Sequence, residues 1–229
     1  YDALYGTDVL GDRPIGAGYD PERGQRVIAW AKAFLDEALP LTDGFAWATL
    51  DTPEEAEIFL DEQVAQFLGW RRLGGDSRAM LFRRNGLHIE VVIDWDHPIG
   101  RGDRAGVADV ILESAVTAIM DCEDSVAAVD AEEKVVVYRN WLGLMKGTLS
   151  AGFDKGGRSV ERRLASDRVY EAPDKTRLVL KGRALMFVRN VGHLMANPMM
   201  RIDGEDVQEG LADAVITALC ALHDLNGPR

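Results

Sequence analysis

In Thr117-Ala-Ile-Met-Asp-Cys-Glu-Asp-Ser-Val-Ala-Ala-Val-Asp130 an apolar run stops abruptly in three carboxylates and a hydroxyl. Val116, Ile119 and Met120 read as a buried strand. Asp121, Glu123, Asp124 and Ser125 then stand at its carboxyl end, where strands of α/β folds and barrels place their working groups. Carboxylates this close repel one another, and a cation, an arginine or a shared proton commonly relieves the repulsion. The plain alternative is a solvated acidic turn after a strand. Cys122 lies between two of the carboxylates, which disfavours its thiolate and argues against a nucleophilic role.

A second stretch, Gly182-Arg-Ala-Leu-Met-Phe-Val-Arg-Asn-Val-Gly-His193, supplies the opposite charge. Ala184 to Val188 is apolar and partly β-branched or aromatic, and it ends in Arg189, Asn190 and His193. Arginine carries a fixed charge and a planar fork matched to a carboxylate. If the two strands are neighbours in a parallel sheet, Arg189 faces the acidic cluster. The same residues also fit a structural ion pair with Asp121 or Glu123, so ligand binding and scaffolding both stand at this point. His88 alternates with apolar neighbours and has no second ligand-type residue at metal spacing, which makes it structural.

The elements that position these residues follow from period and punctuation. Asp20-Pro21 caps a helix whose apolar positions are Val27, Ile28, Ala31, Phe34 and Leu35, and Pro40 stops it. Phe45 to Leu50 reads as a strand. Thr52-Pro-Glu-Glu55 opens a second helical stretch running through Phe59 towards Leu68. Ala79–Arg84 and Leu87–Asp94 flank Asn85-Gly86, the signature of a two-residue hairpin. Pro98 to Gly106 is a polar loop without the order of a phosphate-binding loop. Val107 to Ala115 reads as a helix, and so does Ala131 to Met145, which has acids in its first turn and Lys146-Gly147 at its end. Leu149 to Leu180 breaks into short alternating runs. Leu185 to Val191 resumes the buried-strand pattern, and Val207 to Leu225 is helical through Leu211, Val215, Ala218, Leu219 and Leu222. The chain therefore divides into an α/β module from 1–113 and 148–183, and two βα units at 114–147 and 184–229.

The chain has 229 residues and a formal net charge of -12, so it is large enough to bury a core and disfavours nucleic acid or an anionic membrane as partner. Cys122 and Cys220 make no disulfide framework, and the lack of a secretion signal or long apolar span points to the cytoplasm. The start at Tyr1 and the finish at Asn226-Gly-Pro-Arg229 are both read as cuts, so an internal piece of a longer protein is expected.

Met120-Asp-Cys-Glu-Asp-Ser-Val-Ala-Ala-Val-Asp130, Tyr138-Arg-Asn-Trp-Leu-Gly-Leu-Met-Lys-Gly147 and Leu185-Met-Phe-Val-Arg-Asn-Val-Gly-His-Leu-Met195 closely resemble the malate synthases, specifically the long G isoform. Tyr1-Asp-Ala-Leu-Tyr-Gly-Thr-Asp8 and Asn85-Gly-Leu-His-Ile-Glu-Val-Val-Ile-Asp94 resemble it as well, with 46–79 the least similar portion. The resemblance implies an inserted α/β domain plus the first βα units of an incomplete TIM (β/α)8 barrel. It also implies condensation of acetyl-CoA with glyoxylate and hydrolysis of the thioester to malate and CoA, a step of the glyoxylate bypass. By this resemblance Arg189 is the catalytic arginine and contacts glyoxylate. Ser125 and Arg162, the latter in a weaker match beside Arg163, bind acetyl-CoA. Asp121 and Glu123 are candidates for the outer shell of Mg2+, whose direct ligands, like the catalytic aspartate, lie beyond the matching end of the chain. The parent enzyme is expected to be monomeric. Two βα units cannot close a barrel, so their apolar flanks are expected to be exposed and available for self-association. The piece alone is expected to be inactive. Citryl- or malyl-CoA lyases of the same barrel type and a non-enzymatic interaction module are the alternatives.

Overall fold

A computed structural model describes residues 20–41, 44–51, 66–113, 118–123, 128–192 and 194–225. These fall into two compact units, one within 1–115 with 169–180 and the other within 116–168 with 181–229.

The first unit opens with helix α1 (Pro21–Ala38), and its start is set by local chemistry. Asp20 Oδ1 accepts from the backbone N–H of Glu22 at 3.0 Å and of Arg23 at 3.2 Å, and Pro21 occupies a position that needs no donor. Ile28, Leu35 and Ala38 form its buried apolar face, joined by Lys32, whose ammonium meets Asp103 at 2.5 Å. Phe45–Leu50 is not the strand expected. A short 3-10 turn, Trp47–Thr49, stands there instead. The Asp36 carboxylate accepts from the backbone N–H of Trp47 and Ala48, and the Trp47 indole donates to the Leu39 carbonyl at 2.8 Å. These local bonds take the donors a strand would offer to a neighbour, and they bury Trp47 completely.

Strands β1 (Phe67–Gly74), β2 (Ser77–Arg84), β3 (Leu87–Ile93) and β4 (Val107–Leu112) form an antiparallel meander. The β2–β3 turn follows from Asn85-Gly86, with φ of 51° and 82° at its two residues. Val107–Leu112 is a strand where a helix was expected. Its Val-Ala-Asp-Val-Ile-Leu run fits either period, and pairing with β3 in the register Val91↔Val110 decides the matter. The helical stretch expected from 52 lies outside the described residues except at its far end, where Phe67 and Leu68 already belong to β1. The core gathers Leu35, Leu39, Trp47, Phe82 and Val91, none of them exposed.

The second unit contains β5 (Ala118–Asp121), helix α2 (Ala131–Lys146), the hairpin of β6 (Ser150–Lys155) and β7 (Arg158–Arg163), β10 (Met186–Arg189), the hairpin of β11 (Ala196–Ile202) and β12 (Glu205–Gln208), and helix α3 (Glu209–Leu225). Strands β8 (Arg168–Glu171) and β9 (Arg177–Leu180) extend the meander into a six-stranded sheet of order β4-β3-β2-β1-β8-β9. The 148–183 stretch, taken from sequence as one part of the module, is thus divided. β8 meets the edge of β1 at Trp70↔Glu171, whereas among the described residues β6 and β7 pair only with each other.

α2 is capped as its sequence requires: Asp130 accepts from the Glu133 N–H at 2.9 Å, and Gly147 ends it at φ 71°. α3 forms within the stretch its periodicity marks but starts at Glu209, because Val207 and Gln208 pair with Asn197 and Ala196 in the β11–β12 hairpin, and it turns an unexpected face inward. Gly210, Ala212, Asp213 and Thr217 are buried, while Leu211, Val215, Leu219 and Leu222 are each more than half exposed. No helix among the described residues is long and apolar enough to cross a membrane.

Candidate functional site

β5 and β10 run parallel, hydrogen-bonded in the register Met186↔Ala118 to Arg189↔Asp121. In-register neighbours of a parallel pair project from the same face, and alternation puts Ile119 and Phe187 on the face that carries Asp121 and Arg189. The sequence reading named these two strand ends, and the fold brings them together. The Arg189 Nε–H donates to Asp121 Oδ1 at 2.9 Å and its Nη2–H to Oδ2 at 2.5 Å, a bidentate pair at the carboxyl ends of adjacent strands. The ladder continues one step further, with the Cys122 N–H donating to the Arg189 carbonyl at 2.8 Å.

The pair is an exposed one: the Arg189 side chain is 59% accessible. Nε and Nη2 hold the aspartate, and Nη1 lies outside the pair. The Arg189 guanidinium holds the Asp121 carboxyl below the usual carboxylate range, and the Glu123 N–H, donating to Oδ1 at 3.0 Å, lowers it further. Asp121 is in turn the main reason that the Arg189 pKa is raised, with a smaller attraction from Glu123. An aspartate so engaged is a poor general base. Its two oxygens fix the orientation of the Arg189 fork.

Cys122 follows directly and is buried. Burial pushes its thiol up to about 11, and the Asp213 charge adds to this. The low reactivity expected from sequence stands, but desolvation rather than the flanking carboxylates is its main cause.

Beneath the strand ends lies a polar cluster that the sequence reading missed. Lys134 of α2 donates to the Cys122 carbonyl at 2.8 Å and pairs with Glu209 at 2.6 Å and Asp213 at 2.9 Å. The Tyr138 hydroxyl donates to Asp213 Oδ1 at 2.5 Å, and Asp213 Oδ2 accepts from the Val191 N–H at 2.8 Å. Burial raises the Tyr138 pKa strongly, and the hydrogen bond to Asp213 adds to it. The available signal was spacing: Lys134, Tyr138, Trp141 and Met145 share a helical face, as do Asp213 and Thr217. A lysine on an aromatic face and an aspartate inside an apolar helix are buried-pair candidates.

Arg162 belongs to the β6–β7 hairpin, where its guanidinium lies 4.8 Å over the Phe153 ring. Glu123 is exposed beside Asp121. Ser125, Asp124 and His193 lie outside the described residues. His88 is engaged with Glu113, Nδ1 to Oε2 at 2.7 Å, which fits the structural role assigned to it.

Residues 19–51 match the family model described as the alpha-beta insertion domain of malate synthase G. The chain is 50% identical to the malate synthase G of Halalkalibacterium halodurans over 240 residues, which cover 98% of this chain and 33% of that protein. It is 46% identical to the malate synthase G of Corynebacterium efficiens over 97% of its length, and 47% identical to that of Corynebacterium glutamicum, also over 97%. These alignments cover 31% and 32% of the two Corynebacterium proteins, so the chain spans about a third of the length of the curated relatives it matches.

Proposed function

The chain belongs to the malate synthase G family, and from that premise we propose that it supplies the glyoxylate-facing arginine of a malate synthase. The observation that carries this reading is the in-register Asp121–Arg189 pair at the ends of two parallel strands. The overall reaction joins the methyl carbon of acetyl-CoA to the aldehyde carbon of glyoxylate, and water then cleaves the thioester, releasing malate and CoA. Its difficulty is removal of a weakly acidic methyl proton near neutral pH, which leaves charge on the thioester oxygen. A preoriented arginine lowers that barrier by binding the glyoxylate carboxylate and the developing enolate oxygen. Arg189 takes this part, and Asp121 keeps its fork from rotating away.

Asp121 is not the base that removes the proton, because Arg189 holds both of its oxygens and depresses its basicity. The base is assigned to the portion of the family's length outside this chain. Ser125 and Arg162 are assigned to acetyl-CoA, with Arg162 presented on the β6–β7 hairpin. Mg2+, when bound, would polarise the aldehyde. Its direct ligands are assigned, like the base, to the portion of the family's length outside this chain, in keeping with the commitment of both Asp121 oxygens to Arg189. Asp121 and Glu123 are therefore assigned to the outer shell. The β5–α2 and β10–α3 successions are read as two βα units of a TIM barrel, and the six-stranded unit as the inserted α/β domain.

The test is CoA release from acetyl-CoA and glyoxylate by the full-length protein that carries this sequence. Arg189→Lys is expected to lower kcat/KM by about 100- to 1000-fold, the loss typical of one charge-stabilising donor. An Arg189→Lys protein as active as the parent would overturn the reading. The 229-residue chain alone is expected to give no turnover, because groups that act as a unit lose most of their rate when one is removed. Turnover within about tenfold of the full-length protein would contradict that expectation.

A further inference from the structure

The two residues that anchor the strand ends are not on the strands. Lys134 has three ammonium donors, and the structure gives it three oxygen partners: the Cys122 carbonyl, Glu209 and Asp213. Asp213 likewise uses both oxygens, one towards Lys134 and Tyr138 and the other on the Val191 N–H. Cys122 is the residue after Asp121, and Val191 is the second after Arg189. A single ammonium–carboxylate couple, with Lys134 and Asp213 both almost wholly buried, therefore grips the backbone just beyond each member of the surface pair.

Packing supports the same point. A Cβ placed on Gly210 would stand 2.6 Å from the Val191 carbonyl oxygen, so the first turn of α3 abuts this strand end too closely for any side chain. A buried ion pair is often no more stabilising than the apolar residues that could replace it, so stability alone is a weak reason for this one. Control of where two backbones end is a stronger reason, because a bidentate pair tolerates little displacement of either partner.

We propose that Lys134 and Asp213 are positioning residues that set the Asp121–Arg189 pair from beneath and thereby aim Arg189 at its ligand. Its kinetic consequence rests on the malate synthase reading, whereas its structural consequence does not. Two readouts separate them. In the 229-residue chain, the Arg189 Nε–H resonance, assigned by its loss in Arg189→Lys, reports the pair directly. Asp213→Asn, equal in size but without the charge, is expected to move that signal to the position of a solvated arginine and to speed its exchange with water. In the full-length enzyme the same variant is expected to lower kcat/KM for glyoxylate by up to about 100-fold, as small misplacements of a catalytic group do, with the KM for acetyl-CoA unchanged.

Tyr138→Phe removes one hydrogen bond from Asp213 without stranding a charge. It is expected to move both readouts in the same direction by less, and it decides the matter if Asp213→Asn does not fold. Thr217→Val removes the intrahelical bond from the Thr217 hydroxyl to the Asp213 carbonyl at 2.7 Å but leaves the Asp213 carboxylate and both strand ends untouched, and it is expected to lower the melting temperature and leave both readouts unchanged. An unaltered Arg189 signal or unaltered glyoxylate kinetics in folded Asp213→Asn, or in Tyr138→Phe where Asp213→Asn fails to fold, overturns the proposal. A full-length wild type without malate-forming activity overturns the function, and the Arg189 signal still decides the positioning.

Discussion

At the scale of single residues, the Asp121–Arg189 pair makes a prediction in pH. The folded-state pKa of Asp121 lies below its unfolded value, first because Arg189 hydrogen-bonds to it. A carboxyl shifted downward contributes stability that is fully present above its unfolded pKa, about 3.9, and is lost as pH falls through the folded value. Asp121→Asn removes that contribution. Wild type is therefore expected to exceed Asp121→Asn in urea midpoint at pH 7, and the gap to close at an acid pH below the ordinary carboxylate range. An equal gap at both pH values would show that the loss is steric. Cys122 offers a second reading of the same locality. With its thiol raised to about 11 by burial, it is expected to be alkylated far more slowly than the half-buried Cys220 in the native state, and at a comparable rate in urea. Peptide mapping after timed iodoacetamide treatment measures both. Asp121 and Arg189 were legible in the sequence because strand-end charges stand out against an apolar run. Lys134 and Asp213 were not, because a charge inside a helix reads as part of its solvated face until a partner helix covers it.

At the scale of elements, turns and caps were the clearest signals. Asn85-Gly86 specified a tight hairpin because only residues tolerant of positive φ close it, and the strands on either side fell where alternation put them. Gly86→Ala is expected to cost about 1–2 kcal/mol at φ 82°, with conformational strain as the sole mechanism, since open space surrounds the position. Asp20→Ala is expected to cost about 1 kcal/mol through its two lost cap bonds. Denaturant melts of the 229-residue chain, monitored by tryptophan fluorescence, measure both changes. Two elements were read in the wrong period. Val107–Leu112 suits helix or strand, and the available edge of β3 settled it. Phe45–Leu50 carries strand-type residues, but the Asp36 carboxylate eleven residues before Trp47 captures the backbone donors. Both outcomes depend on a partner distant in sequence, which no local window contains.

At the scale of the whole molecule, the exposed apolar surface is the conspicuous property. Ile119, Leu185 and Phe187 are exposed on and beside β5 and β10, and Leu211, Val215, Leu219 and Leu222 line the outward side of α3. Contiguous exposed apolar surface promotes association. The isolated chain is expected to sediment as a concentration-dependent mixture, and Val215→Glu with Leu219→Glu to shift it towards monomer. A single monomeric boundary for wild type at all concentrations would contradict this. The net charge of -12 opposes such association, so raising the salt concentration is expected to favour it.

The sequence by itself determined the opposite charges at the two strand ends, the capped helices, the Asn-Gly hairpin and the family, because each is written in contiguous residues whose types have local physical meaning. Tertiary structure decided the rest. It chose strand over helix for Val107–Leu112, gave β8 and β9 to the six-stranded sheet, and turned Asp213 inward while leaving the leucines of α3 outward. Burial of a charge is stable only where a partner completes its hydrogen bonds, and Lys134 lies 79 positions before Asp213 in the chain. That distance is why the pair beneath the site was visible only once the two helices had packed.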